Sequence, residues 1–299
     1  VSSFAVLLVL AAAVAHAAWN VIAHGVSRIG MPFLWLGAVS SVVVWIGVVP
    51  FTGGLGTGTV PAFLLGIVVS ALLHVAYMLV LQRGYRVGRL STVYATARGT
   101  GPTISVVLAV TLLGERPSWP SLVGGLLVLV GVVAVGLADA GADPGAVASG
   151  SVPVVARPRR RIDPGIVAGL LTGVAIAAYT IWDAHFVRGG AAPVAFMVGC
   201  TAVEAVLFGA LLGRRRRELL PVLRAHWGRV LAFGVLSPLS YILVLAAITI
   251  APVALVAPMR EVSVVLVSVF GALVLREGRA TTRIVASVVV LAGIALLAI

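Results

Sequence analysis

The stretch from Ala251 to Gly278 reads APVALVAPMREVSVVLVSVFGALVLREG, an apolar run with Arg260 and Glu261 side by side near its middle. A helix that crosses a bilayer takes about 20 mostly apolar residues, and this run is long enough. Each charge at the centre of such a helix costs roughly 2.5 to 3.5 kcal/mol on insertion scales, so ionisable groups there face a protein interior or a water-filled cavity. The run reads as a spanning helix that carries its charge for a ligand.

Composition extends this reading to the whole chain. Of 299 residues, 61% are hydrophobic and 10% charged, and the mean hydropathy is +1.17, values outside the range of ordinary soluble domains. The apolar runs are too long for strands and lack period-two alternation, so the spanning elements are helices rather than barrel strands. The fold class is an all-α membrane protein. A net charge of +12 does not imply a nucleic-acid partner here. All 21 basic residues are Arg, and most fall in short loops between apolar runs, where the positive-inside rule places them. Without Lys, Schiff-base and P-loop chemistry lack their residue. The lone Cys200 forms no intrachain disulfide and holds no structural zinc alone, and we expect neither a metal site nor a cofactor.

Ten spans follow: Phe4 to Ala23, Met31 to Pro50, Pro61 to Gln82, Ser91 to Leu113, Trp119 to Ala138, Gly165 to Phe186, Ala192 to Leu212, Val230 to Ile248, Pro252 to Val274 and Thr281 to Ala298. Ala15-His16-Ala17 resembles a leader cleavage site, but no basic residue precedes the first span, so it reads as a span. The polar segment 139–164 reads as a flexible basic linker, with Arg157, Arg159, Arg160 and Arg161 facing headgroups. It separates a first five-helix unit, 1–138, from a second, 165–299. Loops after odd-numbered spans hold 17 Arg, and loops after even-numbered spans hold only Arg116 and Arg188. The odd loops are thus expected in the cytoplasm and both termini outside, in a bacterial cytoplasmic (inner) membrane crossed many times.

An odd number of crossings per half makes the halves antiparallel, and the sequence carries the repeat. AAWNVIAHGVSR (Ala17 to Arg28) matches AAYTIWDAHFVR (Ala177 to Arg188), and Tyr77-Met78-Leu79-Val80-Leu81 matches Tyr241-Ile242-Leu243-Val244-Leu245. A shift of about 162 residues places Arg98 on Arg260, Glu115 on Glu277 and Gly131 on Gly293. His16-Ala17-Ala18-Trp19-Asn20, Leu113-Gly114-Glu115-Arg116, Tyr179-Thr180-Ile181-Trp182-Asp183 and Pro258-Met259-Arg260-Glu261-Val262-Ser263 then carry a family resemblance. The chain resembles the EamA-like ten-helix permeases of the drug/metabolite transporter superfamily over nearly its whole length. What the resemblance implies is a secondary transporter with a central cavity, commonly for metabolite efflux, with two inverted five-helix repeats.

The residues point to a cavity on their own account. Arg98-Gly99-Thr100-Gly101-Pro102 is expected to interrupt the fourth span, and Pro258 precedes Arg260 in the ninth. Interrupted helices at a repeat interface are where transporters bind substrate. Two symmetry-related guanidinium groups suit a carboxylate or phosphate. Alternatively each Arg pairs with a buried carboxylate and only holds helices together. Glu261 pairs with Arg98 across the halves or binds a substrate amine. Asn20, Tyr77, Tyr179 and Tyr241 complete the expected substrate site. Glu204, Glu261, Asp183 and His16 are the candidates for proton coupling. Asp183 is expected near a membrane face, and His74 in a helix-helix hydrogen bond. Glu115 and Glu277 read as caps or loop partners, and Gly165, Gly169 and Gly173 as a close helix seam.

The expected function is a secondary active transporter, an exporter, that moves a small polar metabolite such as an amino acid or organic anion by alternating access. The alternatives are an integral membrane enzyme or flippase acting on a lipid-linked substrate, and a non-transporting scaffold. An enzyme is disfavoured because no His-Glu-x-x-His helix and no His pair at ligand spacing occurs. The expected partners are the lipid bilayer and a small-molecule substrate, with protons as the coupling ion.

Overall fold

In a bilayer each backbone N–H and C=O must find its partner inside the protein, and the chain meets that demand with helices. The computed structural model of the protein describes residues 2–24, 26, 29–87, 90–140, 164–266 and 280–298. They form α1 (Ser3–His24), α2 (Met31–Trp45), α3 (Val60–Val87), α4 (Leu90–Leu112), α5 (Trp119–Ala140), α6 (Pro164–Arg188), α7 (Pro193–Leu211), α8 (Leu219–Ile250), α9 (Val253–Arg260) and α10 (Ala280–Ala298). There is no strand among the described residues. Six of the helical stretches are long and apolar enough to cross a membrane by themselves. The outward faces carry Leu, Val and Phe, as at Phe4, Leu65, Val130 and Leu171. The interior is apolar as well, so hydrophobic side chains cover both the core and the lipid-facing surface. Trp119 and Trp227 are both largely exposed near helix ends, where Trp anchors a chain at the interface.

Three elements depart from the expected boundaries. α8 starts 11 residues before the expected eighth span, and non-helical backbone at His226 (φ −133°) separates this lead-in from the spanning part. The ninth span is broken: α9 ends at Arg260, Glu261 forms a turn, and helix resumes at 262–266. The fourth span, by contrast, is not interrupted, because α4 runs unbroken through Gly99 and Pro102. Pro102 leaves Arg98 O without its helical donor, and the hydroxyls nearby bond other carbonyls of the same turns. Thr103 Oγ1 donates to Gly99 O (2.6 Å), Ser105 Oγ to Gly101 O (2.9 Å) and Thr100 Oγ1 to Thr96 O. The segment 141–163, with its four Arg, and Arg28, Arg89, Arg276, Glu277 and Arg279 lie outside the described residues.

The two halves pack as exchanged copies. α1 packs on α8 as α6 packs on α3, and α2 on α8 as α7 on α3, while α2 meets α7 and α5 meets α10 across the pseudo-twofold axis. Loop contacts fix the alternation of the helix ends. On one face, the loops after α2 and α6 pair through Thr57 N–H to Gly190 O (2.9 Å) and Ala192 N–H to Leu55 O (3.3 Å). On the other, Arg215 from the segment after α7 donates to Ile29 O after α1 (2.9 Å).

Small residues let these helices approach. A Cβ on Gly169 would meet Thr96 Cβ at 2.5 Å, and one on Gly173 would meet Thr100 Cβ at 2.7 Å, so the seam expected on α6 closes against α4. At the α5–α10 crossing the contact is backbone to backbone. A Cβ on Gly124 would lie 2.6 Å from Gly293 O, and one on Gly293 would lie 2.7 Å from Gly124 O. Carbonyl oxygens of a hydrogen-bonded helix cannot swing aside, so Gly124→Val is expected to destabilise the protein by about 1–3 kcal/mol or more. Gly58→Ala, with nothing within 4 Å of the added Cβ, is expected within about 0.5 kcal/mol of wild type. Detergent melts of the two variants check the contrast.

Candidate functional site

α9 and α4 bring their arginines to one cavity. Its lining includes His16 and Trp19 from α1, His74 and Tyr77 from α3, Arg98, Tyr179 from α6, Glu204 from α7, Tyr241 from α8, and Arg260. The cavity holds about 170 Å³, below the roughly 300–1,000 Å³ of sites for drug-sized ligands. It suits a small solute.

The two arginines differ in what they hold. Arg98 Nη1 reaches both Glu261 oxygens, at 3.1 and 3.3 Å, and Nη2 donates to His16 Nε2 at 3.2 Å. A guanidinium only donates, so the His16 proton sits on Nδ1. The Tyr94 ring lies beneath the Arg98 guanidinium, 5.2 Å from its Cζ. Arg98 is thereby committed on three sides. Arg260, one residue before the break, stands 3.6 Å from Glu261 Oε1, beyond hydrogen-bond length, and its buried Nε makes no hydrogen bond.

Burial sorts the remaining expected residues. Tyr77, Tyr179 and Tyr241 line the cavity and pack with His74 as an aromatic wall. Tyr179 stacks on His74 with centroids 4.1 Å apart, and Tyr241 meets His74 edge-on at 5.5 Å. Asn20 does not line it; its Nδ2 donates to His16 O one turn back (2.7 Å), which occupies the amide in its own helix. Glu261 is 1% exposed and both its oxygens accept from Arg98, so it is not free for a substrate amine. Asp183 lies five residues before the end of α6. It is fully buried, with Oδ2 accepting from Tyr241 OH at 2.7 Å, because α8 packs over the end of α6. His74 bonds within its own helix, its Nδ1 lying 2.9 Å from Ser70 O, and also meets the neighbouring α7, 3.9 Å from Cys200 Sγ. Sequence reasoning missed Ser237 and Ser240 in the lining. Ser237 lies one helical turn before Tyr241 on the same face, and that spacing was the available signal.

A second cluster lies outside the cavity lining, where α6 and α8 end and α9 begins. Glu115 accepts from the N–H groups of Val253 (2.7 Å) and Ala254 (2.9 Å), capping α9. The same carboxylate pairs with Arg188 at 2.7 Å, and Arg188 also donates to Ile248 O and Ala251 O. One acid and one base thus tie the loop after α4 to the end of α6 and to the α8–α9 turn.

Comparison with known proteins agrees with this architecture. The model of the EamA-like transporter family matches residues 3–137 and again 163–299, one match per half. A solved structure described only as "Crystal structure of protein" superposes with a TM-score of 0.73 at 17% identity, covering 99% of this chain and 96% of that one. At that identity the likeness concerns the fold alone. A comparison with curated proteins gives no match.

Removing one partner of a buried ion pair leaves the other charge uncompensated, which destabilises by about 3–5 kcal/mol, whereas apolar replacement of both is often near neutral. Arg98→Leu and Glu261→Leu are each expected to lower the melting temperature of the detergent-solubilised protein strongly. The double variant is expected to recover only part of that loss, because it leaves Arg260 without the carboxylate 3.6 Å away.

Proposed function

We propose that this chain, which belongs to the EamA-like transporter family, is a secondary active exporter of a small solute bearing an anionic group. The observation that carries the reading is Arg260. Its side chain lines the cavity, its Nε–H is buried without an acceptor, and its nearest carboxylate is already taken by Arg98. A carboxylate or phosphate of the solute, met where the Arg260 side chain lines the cavity rather than at the sealed Nε, adds the counter-charge that Glu261 shares between two arginines. Family membership favours transport over a lipid-directed enzyme or a scaffold.

In this reading the solute's anionic end meets Arg260, and Tyr77, Tyr179 and Tyr241 enclose its body. Arg98 positions Glu261 and the α9 break rather than touching the solute. Alternating access comes from the two halves, 1–138 and 165–299, rocking about the α2–α7 and α5–α10 contacts. Proton coupling falls to Glu204, Asp183 or His16, since Glu261 is engaged by Arg98. The excess of Arg in loops after odd spans supports a cytoplasmic side for those loops and an outward side for both termini, in a bacterial cytoplasmic membrane. Of the two Arg on the opposite side, Arg188 already serves an ion pair.

A hydrogen bond to a charged group contributes about 1.5–3 kcal/mol, so Arg260→Ala is expected to weaken half-saturation roughly 10- to 150-fold. The test compares solutes in medium and cytosol of cells expressing wild type, Arg260→Ala or empty vector at matched membrane abundance. Wild type shifts a small set of anionic solutes and the variant does not. Equal shifts from both proteins would make Arg260 structural and overturn the site. For orientation, terminal tags on intact cells are expected to be accessible to a membrane-impermeant label at both ends, and protection of both would reverse the topology.

A further inference from the structure

At the cavity wall contributed by α3 and α7, three side chains of a different chemistry converge. Cys200 and Glu204 are one helical turn apart on α7, so they share a face. Cys200 Sγ lies 3.6 Å from Glu204 Oε1 and 3.9 Å from His74 Nδ1. One ligand atom from each of the three residues lies within 4.8 Å of the other two. We propose that His74, Cys200 and Glu204 form a binding site for a single divalent metal ion of the zinc class, with its open coordination position facing the cavity.

Donor chemistry sets the class of ion. A thiolate with an imidazole and a carboxylate suits Zn²⁺ and its near neighbours Co²⁺ and Ni²⁺, whereas Mg²⁺ and Ca²⁺ take all-oxygen sets. With Zn–S near 2.3 Å and Zn–O near 2.0–2.2 Å, tetrahedral angles put the sulfur and oxygen ligands roughly 3.5 Å apart, close to the 3.6 Å found. Ser70 supplies the supporting shell. Its carbonyl lies 2.9 Å from His74 Nδ1, the ring nitrogen that faces Cys200, so ligation through Nδ1 exchanges this contact for the metal and leaves the ring proton on Nε2. Its hydroxyl lies 3.4 Å from Cys200 Sγ. As the ion binds, the Cys200 thiol proton leaves to water and the sulfur–metal bond replaces the S–H bond.

Charge gives the site its reason. Glu204 is a carboxylate inside the membrane, and the contact that holds it is the weak Cys200 thiol. The buried Asp183 beside this wall has one oxygen, Oδ1, without a hydrogen bond. Arg98 and Arg260 are gathered around Glu261 instead. A divalent ion between Glu204 and the Cys200 thiolate neutralises this pole of the cavity. Three protein ligands and one open position are the pattern of sites that accept an exogenous ligand. Resting on the function proposed above, the open position and Arg260 would together hold an anionic solute at two points.

The test uses the full-length protein, free of any polyhistidine tag, in detergent, with Co²⁺ as a spectroscopic probe. Cys200 is the sole cysteine, so a thiolate-to-cobalt charge-transfer band reports on this site alone. The expected result is one Co²⁺ per chain, displaced by Zn²⁺ but not by Mg²⁺. The band is lost in Cys200→Ala, and affinity falls at least tenfold in His74→Gln and in Glu204→Gln. Zn²⁺ is also expected to protect wild type against thermal unfolding and not Glu204→Gln, a readout that needs no cysteine removal. A folded, monodisperse wild type that shows no band and no protection overturns the site, as does a band unchanged in both His74→Gln and Glu204→Gln. Because the readout is metal absorption, it succeeds or fails independently of the Arg260 transport assay.

Discussion

A guanidinium sealed inside a bilayer protein must find its counter-charge within reach of its own helices, and the Arg98–Glu261 pair is where this chain meets that demand. The pair joins α4 of the first half to the break after α9 of the second, at 3.1 Å and nearly out of contact with solvent. Glu261 sits in the turn that ends α9, so the ion pair and the broken helix stand at one point. His16 and the Tyr94 ring complete the shell around Arg98. The stationary charges are thereby consumed by one another, and what remains unspent is the Nε–H of Arg260.

Pseudo-symmetry alone would make Arg98 and Arg260 equivalent. Their neighbours break the equivalence. Arg260 has Glu261 adjacent in its own chain, but a turn holds that carboxylate toward Arg98, and the residue on α4 that follows Arg98 is Gly99, with no side chain to offer. A twofold frame with one acid where symmetry would allow two leaves a single polarised cation, which gives the cavity distinct ends. The other end collects the carboxylate, thiol and imidazole of α3 and α7.

Much of the architecture was legible because the bilayer simplifies the code. Apolar runs between arginines gave all ten helices, and an offset of about 162 residues placed Arg98 opposite Arg260 before any coordinates. The glycine spacing on α6 correctly marked a seam. Legibility failed where packing and local bonds decide the outcome. Gly99 to Pro102 looked like a break, and α4 runs through it as one helix packed on α6. Asn20 looked like a ligand group and bonds the turn behind it. The meeting of His74 with Cys200 and Glu204 had no signature at all, since 126 residues separate His74 from Cys200 and no spacing rule spans two helices from different halves.

The Glu115 carboxylate has a consequence in the order of synthesis. It supplies the N-terminal cap of α9 from 138 residues away, and Pro252, at the cap position itself, contributes no side-chain bond. The first half therefore carries a finished cap with nothing to cover, and the second is made with a helix start and an Arg188 that both lack their acid. Each half holds what the other needs, so the later-born helix end reaches its final hydrogen bonding only when the nascent halves dock. Assembly of the protein is in this sense checked by a carboxylate translated long before the helix it completes.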